Sequence, residues 1–206
     1  MHNDPANCVD LWGLLKQCEV DKAEYELQTM AQNVNPLSDF IDTAKYAEII
    51  CSNMDRLDEE TKKKYAGMPE SVRETAIREQ LNKTTVYSGI DPGQANTVLQ
   101  QAGSPIDFNS VDGLTIGNNI YMKDPLDPKT ADKSDIELLG HETIHSVQAN
   151  AQGTISFLND YMSKPYDTSN QYEVAAYSFG GKIRDTPFQN ICSPQILPSL
   201  INSIRK

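Results

Sequence analysis

The sequence predicts an α+β fold, in which a helical N-terminal segment precedes a domain built from a small β-sheet and several helices. Residues 1–82 are polar, with apolar residues at helical spacing. From residue 83 onward, β-branched and aromatic runs are separated by turn residues. The last third of the chain carries helix-capping patterns before apolar residues. We therefore predict a helical segment over 1–82 and a mixed domain over 83–206.

The N-terminal segment contains two stretches with helix-like apolar spacing, Val9–Leu15 and Phe40–Ile50. Breaks are predicted at Asn35-Pro36 and at Gly67-Met68-Pro69, because proline and glycine interrupt helices. No chemistry-bearing pattern occurs in this segment. We expect it to pack on the rest of the chain or to cover a cleft.

The β-prone region begins at Thr84–Ser88, and a short helix is expected over Ala95–Gln101. Two further runs, Leu114–Ile116 and Ile120–Met122, are joined by Gly117-Asn118-Asn119. Glycine and asparagine tolerate positive φ, so these runs are predicted to form a hairpin with a three-residue connection.

The helix that follows has a clear start signal, because Ser134–Glu137 fits the Ser-x-x-Glu capping box. It is expected to run to about Ala151. Two more helices are predicted, one over Ile155–Ser163 and one opened by a second capping pattern at Thr168–Gln171. Gly180-Gly181 is expected to end or bend the last of them.

The overall charge excludes one class of partner. The formal net charge is −11, and the 18 Lys and Arg residues form no patch that would suit a phosphate backbone. No stretch resembles a signal peptide or is apolar enough to cross a bilayer. The sequence therefore predicts a soluble protein without nucleic-acid binding or membrane insertion, cytoplasmic in the cell that makes it. Its oligomeric state is left open.

Four cysteines, Cys8, Cys18, Cys51 and Cys192, are scattered without Cys-x-x-Cys spacing. This distribution favours buried free thiols in a reducing compartment over a disulfide framework, although four cysteines also allow one bridge. A structural zinc site on these cysteines is not expected.

The strongest chemical signal is the pentapeptide His141-Glu142-Thr143-Ile144-His145 within the capped helix. Residues four apart lie on one helix face, so both imidazoles can reach the same metal ion. The carboxylate of Glu142 is then placed to act as general base toward a water molecule. This pattern predicts a zinc site with His141 and His145 as ligands and Glu142 as the catalytic acid–base.

A catalytic zinc ion needs a third protein ligand and one open position. No histidine remains after His145, and His2 lies at the terminus, so a carboxylate must serve. Glu173 is the best candidate, because a turn near Pro165 would bring its helix back toward His145. The competing carboxylates share this downstream part of the chain: Asp160, Asp167 and Asp185.

Hydrolysis of an amide also needs a donor to the oxyanion. Tyr177 lies one helical turn after Glu173, and we predict it in this role, with Tyr166 and Tyr172 as alternatives. The competing interpretation for each tyrosine is packing in the core. The strand Ile120–Met122 either offers its edge to an extended peptide or pairs within the sheet.

Residues 84–180 resemble a family of bacterial zinc metallopeptidase domains that accompany contractile injection systems and polymorphic toxins. Members carry segments similar to Val86-Tyr87-Ser88-Gly89, Leu114–Tyr121, Leu139–Gln148 and Asn170–Tyr177. The resemblance implies a zincin-like fold with the small sheet over the HExxH helix. It also implies a protein or peptide substrate and a secreted or injected effector or toxin.

The same resemblance implies that Glu173 is the third zinc ligand, as in the glutamate-ligand zincins. Some relatives have a second acidic residue two positions later, where this chain has Ala175. The sequence therefore predicts a zinc metalloendopeptidase. The alternatives are a catalytically idle interaction module with the same fold and a zinc amidohydrolase that acts on non-peptide substrates.

Overall fold

The computed structural model describes residues 15–164, 169–187 and 190–193. These residues form an α+β fold with eight α-helices and one four-stranded mixed sheet. The helices are α1 Gln17–Met30, α2 Thr43–Ser52, α3 Glu59–Tyr65, α4 Glu70–Leu81, α5 Pro92–Gln101, α6 Lys133–Gln152, α7 Thr154–Met162 and α8 Gln171–Asp185. The strands are β1 Asn33–Pro36, β2 Thr85–Ser88, β3 Gly113–Ile116 and β4 Asn119–Met122.

The sheet has the order β1-β2-β4-β3, with β2 and β4 parallel and the two outer pairs antiparallel. Strands β3 and β4 form the predicted hairpin, but Ile116 pairs directly with Asn119. The connection therefore has two residues rather than three. Gly117 adopts a φ of 59°, a left-handed conformation that glycine takes without strain.

The position of the hairpin in the sheet corrects one prediction. Strand β4 pairs with β2 on one side and with β3 on the other, so Ile120–Met122 has no free edge. The alternative, pairing within the sheet, is confirmed. The edge strands of the sheet are β1 and β3, and β3 packs on α6.

The N-terminal segment contains a strand that the sequence did not predict. Asn33–Pro36 pairs with β2, although asparagine and proline disfavour strands. Proline is tolerated because β1 is an edge strand. Helices α3 and α4 of this segment pack against α6, and Leu37, Ile50 and Leu81 share one buried core with Ile136 and Leu139 of α6.

Helix α6 begins slightly earlier than predicted. Its N-cap is Asp132, whose side chain accepts hydrogen bonds from the backbone of Ser134 and Asp135, while Asp135 bonds back to the N-cap amide. This is a capping box, but Asp132 and Asp135 form it instead of Ser134 and Glu137. The helix ends before Gly153, as expected.

The remaining helical predictions agree closely with the structure. Helix α7 occupies Thr154–Met162, and α8 begins after Asn170, whose side chain caps it. The part of the predicted capping pattern at Thr168 lies outside the described residues. Helix α8 continues through Gly180-Gly181 to Asp185, so these glycines do not end it.

The cysteine prediction is partly confirmed. Cys51 and Cys192 are buried free thiols, whereas Cys18 is disulfide-bonded, the one bridge that four cysteines also allowed. Within the described ranges, every helix is too short or too polar to span a membrane.

Candidate metal centre

His141 and His145 lie one turn apart on the same face of α6, as their spacing predicts. Their Nε2 atoms are 3.2 Å apart, and the two rings meet edge to face. Both side chains are largely removed from solvent. Two nitrogen lone pairs are thereby directed at one small volume.

Glu173 brings a carboxylate to the same volume from the first turn of α8. Its Oε2 lies 3.4 Å from His141 Nε2, and its Oε1 lies 3.3 Å from His145 Nε2. The packing of α8 against α6 produces this approach. The competing Asp160 instead bonds to Tyr172 and Lys164, and Asp167 lies outside the described residues.

The spacing of these three groups suits a metal ion. Ligand atoms about 2.1 Å from a tetrahedral zinc ion lie roughly 3.4 Å from one another, close to the separations of 3.2, 3.3 and 3.4 Å. Glu173 is 2% exposed, and its buried Oε2 has no hydrogen-bond partner among the described residues. Because an unpartnered buried carboxylate oxygen is costly, the group fits a cation, and His141, His145 and Glu173 can bind a metal ion.

Gln148 determines which nitrogen of His145 faces the site. The side-chain amide of Gln148 donates to the carbonyl of Tyr172 over 3.2 Å, which directs its oxygen toward the ring. His145 Nδ1 donates to that oxygen over 2.8 Å. The Nε2 lone pair is therefore free to bind a metal ion. The sequence analysis missed Gln148, although its i,i+3 spacing from His145 offered a signal.

Tyr161 of α7 supports the third ligand. Its hydroxyl donates a hydrogen bond to Glu173 Oε1, and its ring meets His145 edge to face at 5.7 Å between centroids. No sequence pattern singles out Tyr161, because its contact with the site depends on how α7 folds back beside α6.

Glu173 and His145 shift each other's pKa. Burial raises the pKa of Glu173, but interactions with His141, His145 and Tyr161 outweigh it and hold that pKa far below its usual range. Burial lowers the pKa of His145, yet Glu173, Glu142 and Gln148 together raise it above the ordinary value. The carboxylate of Glu173 and the imidazole of His145 thus shift each other's pKa in opposite directions, which reflects their close contact.

Glu142 is held next to the candidate ligands by the edge strand β3. Its Oε2 accepts a hydrogen bond of 2.7 Å from Thr115 Oγ1, which also contacts the backbone oxygen of Glu142 at 3.1 Å. Gly113 permits this close approach, because a Cβ there would lie 3.0 Å from Glu142 Oε1. The contacts fix the carboxylate at the strand that borders the site.

Of the tyrosines predicted as oxyanion donors, Tyr177 lies beside a candidate ligand and Tyr172 does not. The ring of Tyr177 packs against His141 at a tilt of 60°, with ring centroids 4.7 Å apart, and Tyr177 remains 61% exposed. Burial and the charges of Glu173 and Glu142 raise the pKa of its phenol, so its proton is retained at neutral pH. Tyr172 bonds to Asp160 and Gln152 away from the ligands, and Tyr166 and His2 lie outside the described residues.

Two cavities meet at His141 and Glu142. A small one of about 30 Å³ reaches inward to His145 and Glu173 between apolar residues such as Phe157, and it has room for a water molecule. A larger open cavity of about 580 Å³ continues along α6 and α8 past Tyr177. His141 and Glu142 thus border both an enclosed space and an open cleft, whereas His145 and Glu173 line the enclosed space.

Comparison of the chain with protein-family models, curated proteins and solved structures gives no match.

Proposed function

We propose that the protein is a zinc-dependent peptidase with a zincin-like catalytic domain. The observation that carries the proposal is the convergence of His141, His145 and Glu173 at ligand spacing, with Glu142 beside them at the mouth of an open cleft. Two imidazoles with one carboxylate form a donor set of catalytic zinc sites, which leave one position free.

The chain's own residues supply an acid–base group and the means to hold it in place. Thr115 orients one oxygen of Glu142, so the carboxylate can take a proton from an attacking water and deliver it to the departing amine. A bound zinc ion supplies Lewis acidity, which makes water more acidic and polarises a carbonyl group.

Tyr177 is the proposed donor to the carbonyl oxygen as negative charge develops on it. It lines the open cleft together with His141 and Glu142. An ordinary tyrosine phenol has a pKa of about 10, so the hydroxyl is protonated at neutral pH and can donate a hydrogen bond.

A combined metal and cleavage assay tests the proposal. Purified protein is analysed for bound metal and incubated with casein, an unstructured substrate. We expect about one zinc per chain and cleavage of casein, with cleavage lost by at least roughly a hundredfold in Glu142→Gln and zinc content unchanged.

Glu137→Gln is the matched control, because it makes the same charge change on α6 and also borders the cleft. It should retain cleavage. Zinc binding without cleavage of casein would contradict a general peptidase and favour an idle module, and hydrolysis restricted to small non-peptide amides would favour an amidohydrolase. Absence of zinc would remove the metal from the proposal.

A further inference from the structure

The open cleft beside the candidate ligands carries a cation, Arg184, at its far end. The cleft is lined by a continuous face of α8 that runs from Tyr177 past Gly180 and Gly181 to Arg184. A Cβ on Gly180 would meet no atom within 4 Å, so the absence of side chains at this point leaves the cleft open. Arg184 therefore lines the same cleft as His141 and Glu142.

Two of the acidic side chains that line this cleft, Asp112 and Glu137, already have cationic partners. Asp112 lies 3.3 Å from Lys123, and Glu137 lies 3.9 Å from Lys133. Arg184 has neither an ion pair nor a side-chain hydrogen bond to any described residue. Its guanidinium is a fixed positive charge with five donors, which match the geometry of a carboxylate.

The separation along α8 gives the distance over which a substrate would extend. Glu173 and Arg184 are 11 positions apart on the helix, or roughly 16 Å at a rise of 1.5 Å per residue. An extended peptide covers this length with about five residues. A peptide held at the metal centre would thus reach Arg184 within one short segment.

We infer that Arg184 is a specificity-determining residue that binds a substrate carboxylate about five residues or fewer from the scissile bond. This inference rests on the proposed function, because it treats the cleft as the groove that holds the peptide. The carboxylate belongs either to an Asp or Glu side chain or to the C-terminus of the substrate. Arg184 also complements the dipole at the end of α8, but Lys182 in the same turn does so without lining the cleft.

A binding experiment tests this inference without requiring hydrolysis. Zinc-loaded Glu142→Gln protein is immobilised and exposed to two N-acetylated decapeptide libraries with random sequences, one with a free C-terminal carboxylate and one amidated. Retained peptides are identified by mass spectrometry. We expect retention of acidic peptides to exceed that of neutral ones by about threefold to fivefold, the range of a solvent-exposed ion pair.

Variants assign the selection to Arg184. Each substitution is added to the Glu142→Gln protein. Arg184→Gln should abolish the preference for acidic peptides, Arg184→Lys should keep part of it, and Lys182→Gln should leave it intact. Enrichment of Asp and Glu in both libraries identifies a side-chain carboxylate. Enrichment confined to the free-acid library identifies the C-terminus.

The inference is overturned if acidic and neutral peptides are retained equally, if nothing is retained, or if Arg184→Gln keeps the preference. Its failure can be separated from failure of the peptidase. Casein cleavage by the wild type without acid selection removes the role of Arg184 alone. Acid selection by a protein that cleaves nothing leaves the carboxylate site and removes the peptidase.

Discussion

At the scale of single residues, two of the three candidate ligands, His145 and Glu173, each depend on a partner that is not itself a ligand. Gln148 selects the tautomer of His145, and Tyr161 donates to the carboxylate of Glu173. Such partners orient ligands before a metal ion binds and so reduce the ordering that binding requires. Their removal should weaken metal binding even though the ligands remain.

Tyr161→Phe is expected to lower zinc affinity by roughly tenfold to a hundredfold, the usual effect of losing a hydrogen bond to a ligand. The ring is kept, so the packing against His145 persists. The measurement is competition for zinc with a chromophoric chelator. This expectation concerns affinity and does not depend on which substrate the protein cleaves.

Tyr172→Phe is the control for that substitution. It removes a hydroxyl from the same aromatic cluster, but this hydroxyl bonds to Asp160 and Gln152 rather than to Glu173. Its contact with Gln148 uses a backbone oxygen, which the substitution keeps. Equal zinc affinities for the two variants would argue against a supporting role for Tyr161.

At the scale of elements, the N-cap residue Asp132 marks where α6, the helix that carries His141 and His145, begins. Asp132 accepts bonds from two backbone amides of the first turn and from Ser134 Oγ at 2.6 Å. The helix is long and its central residues are buried, so its position is set by tertiary packing as well as by the cap. The cap therefore accounts for only part of the free energy that holds α6 in place.

Asp132→Ala should lower the free energy of unfolding by about 1 kcal/mol, as expected for a lost N-cap. Urea denaturation at neutral pH measures this change. Asp132→Asn should be close to the wild type, because asparagine also caps well. A loss of equal size in both variants would show that the effect is not due to capping.

The same residue gives a pH dependence with a definite sign. Hydrogen bonds from Ser134 and Asp135 lower the pKa of Asp132. A group whose pKa is lower in the folded state stabilises the protein above its unfolded pKa of about 3.9 and loses that contribution as the pH falls. Urea midpoints measured from neutral pH down to about pH 3 should therefore fall less steeply for Asp132→Asn than for the wild type.

At the scale of the whole molecule, the candidate metal centre depends on close packing between α6 and α8. Gly140 lies at this contact, where a Cβ would overlap the side chain of Ile183 and lie 3.2 Å from Tyr46 Oη. All three residues belong to or border one buried core. The helix that carries Glu173 is thus held against the helix that carries both histidines.

Gly140→Ala should destabilise the fold by about 1 kcal/mol. Overpacking a core costs roughly 1–3 kcal/mol, and the better helix propensity of alanine offsets about 1 kcal/mol of it. Zinc affinity should fall as well, because any displacement of α8 moves Glu173. Thermal unfolding and chelator competition measure the two effects.

Ile183→Val supplies the matched partner variant, since valine lacks the methyl group that the new Cβ would overlap. The double variant should be more stable than the sum of the two single effects predicts, by about 1 kcal/mol. Strict additivity would indicate that Gly140 and Ile183 do not interact in this way.

The sequence by itself determined those parts of the fold and site that depend on local spacing. The pairing of His141 with His145 follows from the helical repeat, and α7 and the β3–β4 hairpin follow from apolar patterns and turn residues. It also nominated Glu173, although without fixing it against Asp160, Asp167 or Asp185. The sequence predicted a capping box at the start of α6 but placed its N-cap at Ser134, two residues after the observed N-cap Asp132. Aspartate and serine are both good N-caps, so the local pattern did not distinguish them.

Only the tertiary structure decided which distant groups meet. Strand β1 forms from residues of low strand propensity because β2 offers an edge to pair with, and β3 rather than β4 borders the site because of the order of strands. Thr115, Tyr161 and Arg184 carry no local signal, since their roles come from neighbours far away in the chain. Helical and strand periods determine the direction of a side chain within its element, but the packing of elements determines what that side chain meets.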